Sequence, residues 1–353
     1  MSAVRIDGRI RVAGAGTWLP DTVEPTAAAV AAGRLTEEEA RSSGYRELPV
    51  SRDLAPPELA VRAALATLER AGVPAAGLDL VAHAWTYHQG HDFWSPAHFV
   101  AARVGAAKAQ PIGVHQMCNG GAAAMETVVS RLLADPTLHR ALVTTADCFG
   151  APGFDRWRGD YGVVYGDGAT AAVLEVATAP VTAGLELLAL STVAAPELEW
   201  MHRGDDAFSP AARMPSATVD VRRTKKAFLT ATGKDAFAKT VATCVGDVLV
   251  QGLAEAGVDV RAPRCVLVPR LGASALDEVY RPAVNAVLPA PVVDLGDRTG
   301  HLGAGDVLAN LAALVEQETL RPGEVGVVLS AGAGFTWSCV VVRRPARYGR
   351  ELP

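Results

Sequence analysis

Val114-His115-Gln116-Met117-Cys118-Asn119-Gly120-Gly121-Ala122 is the stretch on which the reading of this chain turns. The apolar run from Pro111 to Val114 predicts a buried strand. Met125, Val128, Val129, Leu132 and Leu133 then fall on one face of a helix that ends near Asp135-Pro136. Cys118 therefore sits on a strand-to-helix turn, with its sulfur beside a helix N-terminus. Unpaired amides and the positive end of the helix dipole favour a thiolate there, and the thiolate is the nucleophilic form. Gly120 and Gly121 leave room for another backbone or a substrate to approach. The plainer alternative is a buried structural cysteine.

Outward from that turn, strand and helix patterns alternate. Arg9 to Gly14, Leu78 to Trp85 and Ala141 to Thr145 read as strands, and a helix opens at Pro56-Pro57-Glu58. Ala27 to Ser43 reads as a polar surface helix. Gly166-Asp167-Gly168 is a tight turn feeding the apolar run Ala169 to Leu174. In the second half, strands are predicted at Leu185 to Val193, Cys265 to Val268, Val325 to Leu329 and Phe335 to Val342, with helices at Phe237 to Ala256 and Ala273 to Ala286. Each half ends in a glycine turn followed by an apolar strand, which predicts two related α/β units, 1–178 and 179–353, in a layered fold.

Half of the 353 residues are hydrophobic and one fifth charged, enough for a substantial core. A net charge of −5 argues against nucleic acid as a bulk partner. Five unevenly spaced cysteines make neither a disulfide framework nor a zinc pattern, so a reducing cytoplasm is the expected compartment. The N-terminus carries no apolar signal core, and no run of about 20 apolar residues predicts a membrane span. No metal is expected: His83, His88 and His91 lack ligand spacing.

Two regions carry open alternatives. Trp85, His88 and Trp94 lie in a segment dense in aromatics and histidines, either lining a substrate pocket or pinning an ordinary loop. Arg222, Arg223, Lys225 and Lys226 form the one dense basic cluster, either a solvated face or a landing site for a phosphate-bearing donor or acidic carrier protein.

Taken together, Met117-Cys118-Asn119-Gly120-Gly121, Tyr165-Gly166-Asp167-Gly168-Ala169, Ala231 to Phe237 and Ser330-Ala331-Gly332-Ala333-Gly334-Phe335-Thr336-Trp337 resemble, in order, four motifs of the thiolase-fold β-ketoacyl-ACP synthase III group. The resemblance implies a layered αβαβα fold, a homodimer, acyl-ACP or acyl-CoA as donor and no bound cofactor. It also places the oxyanion hole at the amides of Cys118 and Ala333. Condensing members carry a His after the proline of the second-half strand and an Asn in a later loop. Here those positions read Pro269-Arg270 and His301, so the usual decarboxylative route lacks both its donors. Cys118, His301 and Asp306 instead resemble the Cys-His-Asp set of an acyltransferase branch from secondary metabolism that makes esters or amides of a small acceptor such as a sugar, aminocyclitol or polyketide. Asp306 is otherwise a first-turn acid favouring its helix dipole, and Asp297 is the substitute partner. Arg270 either binds a carboxylate on the acyl chain or fills the vacated space beside an acid. The alternatives are a C–C-forming synthase III and a non-catalytic starter-unit selector.

Overall fold

The computed structural model describes residues 2–178, 181, 183–210, 216–317 and 319–346. The strand at the middle of its sheet is β1, Ser2–Trp18. Ile6, Ile10 and Val12 of β1 are fully buried. Strict alternation would put Ile6 and Ile10 on the same face without interruption, but Asp7 and Gly8 both take positive φ (53° and 69°) and shift the register of the strand. The strand outruns the predicted Arg9 to Gly14 because it is paired on both sides.

The other sheet strands are β2 (Leu80–Ala84), β3 (Gln110–Val114), β4 (Arg140–Asp147), β5 (Gly168–Val176), β6 (Leu185–Ala194), β7 (Pro263–Leu267), β8 (Val292–Val293), β9 (Val325–Gly332) and β10 (Thr336–Arg343). They form one ten-stranded sheet in the order β8-β7-β9-β10-β6-β1-β5-β4-β2-β3. Residues before 178 supply one side and residues after 184 the other, joined where β1 runs antiparallel to β6. Each side repeats one plan: three parallel strands, then two antiparallel ones.

Helices α1 (Pro56–Ala71), α2 (Pro96–Val104), α3 (Gly120–Ala134), α4 (Val221–Thr232), α5 (Lys234–Glu255), α6 (Arg281–Val287) and α7 (Asp306–Glu316) complete the layers. The central core packs α3 and α7 between Ala82 and Val143 of one sheet half and Leu267 and Val328 of the other. α1 and α2 cover the outer face of the first half, and α5 and α6 that of the second. The result is the αβαβα layering of a thiolase fold. Strand β4 shows why its sequence is apolar without alternation: Ala141 and Val143 face the central core while Leu142 and Ala146 face the outer one. Burying one such leucine or valine contributes about 1.5–3 kcal/mol.

Five segments need comment beyond the sequence reading. Ala27 to Ser43 is two short helices, Thr26–Ala31 and Glu37–Ser43, the second started by a Thr36–Glu39 capping box. Ala273 to Ala286 is helical but opens through a π-turn at Leu276–Tyr280. The basic cluster lies on α4, whose start is capped by the Asp220 carboxylate accepting from the Arg223 amide. Among the described residues one helix, α5, is long and apolar enough to reach the dimensions of a membrane span. Val241, Val245, Val248 and Leu249 of that helix are packed into the core of the second half. The polar stretch from Glu197 to Thr218 contains the helix Trp200–Arg203, and residues 211–215 lie outside the described part.

Candidate active site

Strand β3 delivers the chain to a single 3-10 turn, Met117–Asn119, and α3 begins at Gly120. Met117 takes a positive φ of 48° to make that turn. A Cβ on Gly121 would stand 2.5 Å from the carbonyl oxygen of Ala304, so glycine lets the helix start directly against the loop that follows His301. The neighbour accommodated is backbone, and it comes from the other half of the chain.

His301 is fixed by its own main chain. Its amide donates to the Val164 carbonyl at 2.9 Å, and its carbonyl accepts from the Gly166 amide at 3.1 Å. This short parallel bridge explains the first glycine of the Tyr165-Gly166-Asp167-Gly168 turn, because a Cβ there would strike the Thr299 carbonyl. Asp167 is fully buried and holds the turn together: it accepts from the Ser51 and Phe149 amides and from both terminal nitrogens of Arg156, at 2.8–2.9 Å.

The His301 Nδ1 lies 2.6 Å from Oδ2 of Asp306. Asp306 is the first residue of α7, and the 3-10 turn Gly303–Gly305 folds the histidine back over it. Its two oxygens also accept from the Leu302 amide at 2.9 Å and the Arg270 amide at 2.8 Å. Both side chains are buried. Burial disfavours the imidazolium, but the Asp306 charge and the Cys118 sulfur outweigh it and hold the ring well above the ordinary histidine range. Burial likewise opposes ionisation of Asp306, yet His301, its hydrogen bond, Arg270 and the Leu302 amide keep its carboxyl below the usual value.

Cys118, His301 and Ala331-Gly332-Ala333 line one cavity of about 200 Å³. Gly332 abuts the Asn119 amide so closely that a side chain there would collide with it, which brings the β9–β10 turn against the cysteine turn. Asn119 in turn donates to Ser338 Oγ at 2.9 Å. The cavity walls are mainly apolar and aromatic, with Phe237, Tyr280 and Phe335 among them, and its exposed margin includes Tyr161 and Lys234.

Residues 112–191 match the family model of 3-oxoacyl-[acyl-carrier-protein (ACP)] synthase III, and residues 253–344 match the model of that family's C-terminal region. A β-ketoacyl-[acyl-carrier-protein] synthase III from Bradyrhizobium diazoefficiens is 27% identical over 339 residues, covering 94% of this chain and 98% of the relative. One from a Roseiflexus species is 27% identical over 290 residues, 81% of this chain and 82% of the relative. Among solved structures, the acyltransferase ChlB3 superposes with a TM-score of 0.85 at 30% identity, over 97% of this chain and 100% of its own. The chain belongs to the synthase III-like, thiolase-fold family. The fold is shared with 3-oxoacyl-(acyl carrier protein) synthase III from Pseudomonas aeruginosa PAO1 (TM-score 0.76, 24% identity, 96% and 98% covered).

Within this synthase III-like site several sequence expectations need correction. Trp85, His88 and Trp94 do not line the Cys118 cavity. Trp85 stacks on His83 and tilts against His115, His88 faces Asp92 at 3.5 Å, and Trp94 packs edge-on to His91 and Phe99. They pin a loop, whose anchor is Gln89, bonded to buried His83 at 3.0 Å and to the Ala146 carbonyl at 3.0 Å. Among the described residues no group of three or more His, Cys, Asp or Glu is arranged to hold a metal. Arg270 is not a cavity residue either: its guanidinium donates to Thr299 Oγ1 at 2.8 Å, its Nε is buried without a partner, and its amide braces Asp306. Burial pushes the guanidinium below its usual range, against the pull of Asp306, Asp294 and Asp297. Asp297 points away to an exposed pair with Arg46 at 3.3 Å, leaving Asp306 as the partner of His301.

Nor do the four basic residues make one docking face. Arg222 pairs with Glu39 and Arg223 with Asp206, Lys226 is exposed, and Lys225 turns inward to the cavity, where its Nζ meets Asp160 at 2.6 Å. Asp160 also accepts from the Tyr165 hydroxyl at 2.7 Å, and the Tyr165 ring rests 5.3 Å from that of His301.

Asp147 escaped the motif reading. It accepts from the amides of Thr86, Tyr87 and Ala304 and so ties the end of β4 to the turn beside His301. Burial raises its carboxyl to about 6, against the three amides and the His301 charge. The available signal was an acid closing a strand that is uncharged and buried from Ala141 to Ala146.

Proposed function

We propose that this protein is an acyltransferase that carries an acyl group on Cys118 from an acyl-ACP or acyl-CoA thioester to a hydroxyl or amine of a small natural-product acceptor. The observation that carries the reading is the 2.6 Å bond from Asp306 to His301, which lines one cavity with Cys118. With Nδ1 tied to a carboxylate, the imidazole presents its other nitrogen to the sulfur in a fixed tautomer. The similarity to the acyltransferase ChlB3 supports the same branch.

Cys118 gives its proton to His301, and the sulfur attacks the thioester carbonyl. The amides of Cys118 and Ala333 are the proposed donors to the oxyanion. Collapse expels the carrier thiolate, which takes the proton from His301. In the acyl-enzyme the sulfur no longer stabilises the imidazolium, so the ring's affinity for a proton falls and it becomes a base. His301 then removes the proton of the acceptor hydroxyl or amine, whose attack on the acyl-cysteine forms the ester or amide and returns the proton to sulfur. The scheme needs no bound cofactor.

The test is intact-protein mass spectrometry against a panel of acyl-CoA and acyl-ACP donors, followed by addition of acceptor alcohols and amines. The account predicts an acyl mass on Cys118, absent from Cys118→Ala, that is discharged onto an acceptor. Carbon dioxide release from a malonyl thioester together with a new carbon–carbon bond assigns a condensing enzyme instead. A wild-type protein that no donor labels fits a non-catalytic selector.

A further inference from the structure

The inward turn of Lys225 gives the cavity a built polar pole that the transfer chemistry does not use. Lys225 Nζ spends one N–H on Asp160 at 2.6 Å and a second on the Tyr161 carbonyl at 3.2 Å. An ammonium has three, so one donor remains. Asp160 accepts from Lys225 and the Tyr161 amide at Oδ1 and from the Tyr165 hydroxyl at Oδ2. His202 lines the same cavity, its ring tilted on Phe335 at 5.7 Å, and its buried Nδ1 has no hydrogen-bond partner. A buried imidazole nitrogen left unpaired beside an ammonium with a spare N–H is costly unless something fills the space between them. Both line a wall that is otherwise largely apolar.

We infer that Lys225, held by Asp160, and His202 recognise a neutral oxygen-bearing substituent, a hydroxyl or keto oxygen, on the acyl group that Cys118 carries. Charge decides the substituent. The lysine is already neutralised by Asp160, and burial lowers the His202 ring to about 4, with Lys225 adding to the effect, so the pole has no net positive charge to hold a carboxylate. A hydroxyl or carbonyl oxygen accepts from Lys225 and finds a donor or acceptor on the neutral ring. Position decides the acyl group over the acceptor. The pole is one aromatic ring, Tyr165, away from His301. A group bonded to Cys118 stays in this cavity through both half-reactions, whereas the acceptor enters for one.

This inference rests on the acyl-transfer reading and deepens it. It is tested by the rate at which Cys118 is acylated by hexanoyl-CoA and by its 3-, 5- and 6-hydroxy forms, read by quenched intact-protein mass spectrometry. Wild type is expected to favour at least one hydroxylated donor about tenfold or more. His202→Phe keeps the ring packing and removes the nitrogens. It and the double variant Lys225→Met/Asp160→Asn, which leaves no buried charge unpaired, should each reduce that preference at least fivefold. Equal losses on all four donors mean that the pole holds the shared pantetheine arm and overturn the inference, as does a wild type without preference. Absence of any label on wild-type Cys118 sinks the acyl-transfer reading itself, which separates the two failures.

Discussion

Two loops of this protein look alike in residue chemistry and behave as opposites in the fold. The loop from Gly296 to Asp306 offers one histidine and two acids, and the segment from Trp85 to Trp94 offers two tryptophans and two histidines. In the first, the His301 backbone is bonded on both sides to Val164 and Gly166, and the Asp306 carboxylate collects two amides and the imidazole. In the second, the inner end is tied down, by Gln89 to His83 and by the Thr86 and Tyr87 amides to Asp147, but Phe93 is fully exposed and Trp94 and His91 lean on each other at the surface. A reactive side chain becomes a site when its main chain is immobilised by other elements, and glycines record that immobilisation better than the reactive residues do.

The comparison can be broken at its acids first. Asp306→Asn leaves size unchanged but removes the carboxylate that sets the His301 tautomer, and transfer should fall by about a thousandfold or more. Asp297→Asn, nine residues earlier in the same loop, should change it less than twofold because that side chain is on the surface with Arg46. Single-turnover transfer rates of the two variants distinguish them, and similar losses would contradict the assignment of the triad partner.

A smaller effect tests the main chain. Gly166→Ala drives a methyl into the Thr299 carbonyl and must displace the bridge to His301. We expect a tenfold to hundredfold loss of transfer and a destabilisation of about 1–3 kcal/mol, read by denaturant unfolding. Trp94→Ala should leave the acylation rate within twofold, since it neither lines the cavity nor braces a residue that does. Comparable losses in the two variants would remove the distinction between the loops.

The smallest effect sharpens the role of the aromatic loop as structure. Burial lowers His83 to about 4, against the pull of its bond to Gln89. The unfolded chain therefore binds a proton that the folded one refuses, and the stability His83 permits near neutrality is lost as pH falls from about 6.5 toward 4. The shift corresponds to about 3 kcal/mol across that window. His83→Gln lacks this titration, so the gap in unfolding free energy between wild type and variant should move in the variant's favour by that order on acidification. A constant gap would show that the ring is not held neutral.

The fold was legible because its signals are local: apolar strands bounded by glycine turns, a helix opening at Gly120, and a second half that repeats the plan. Cys118 was legible for the same reason, at a helix start; His301 and Asp306 were picked out as a set only by the family resemblance, and the structure brings them together at 2.6 Å. Asp147 and the Lys225–Asp160 pair were not, because residues 147 and 304, or 160 and 225, meet only through tertiary packing. The basic run misled because four like charges in five positions read as one surface. On a helix they point in different directions, and the third of them points inward. Trp85, His88 and Trp94 misled through residue type, since aromatic rings anchor loops as readily as they line pockets.

The most direct test of the account is a chase of acyl-Cys118. Wild type and His301→Ala are each loaded with the same labelled acyl thioester, freed of donor and mixed with acceptor. The account predicts that wild type passes its label to the acceptor, while His301→Ala retains the acyl-cysteine at least a hundredfold longer. Discharge of both acyl-enzymes to the acceptor at the same rate would contradict the claim that the sulfur and the imidazole work in series on one acyl group.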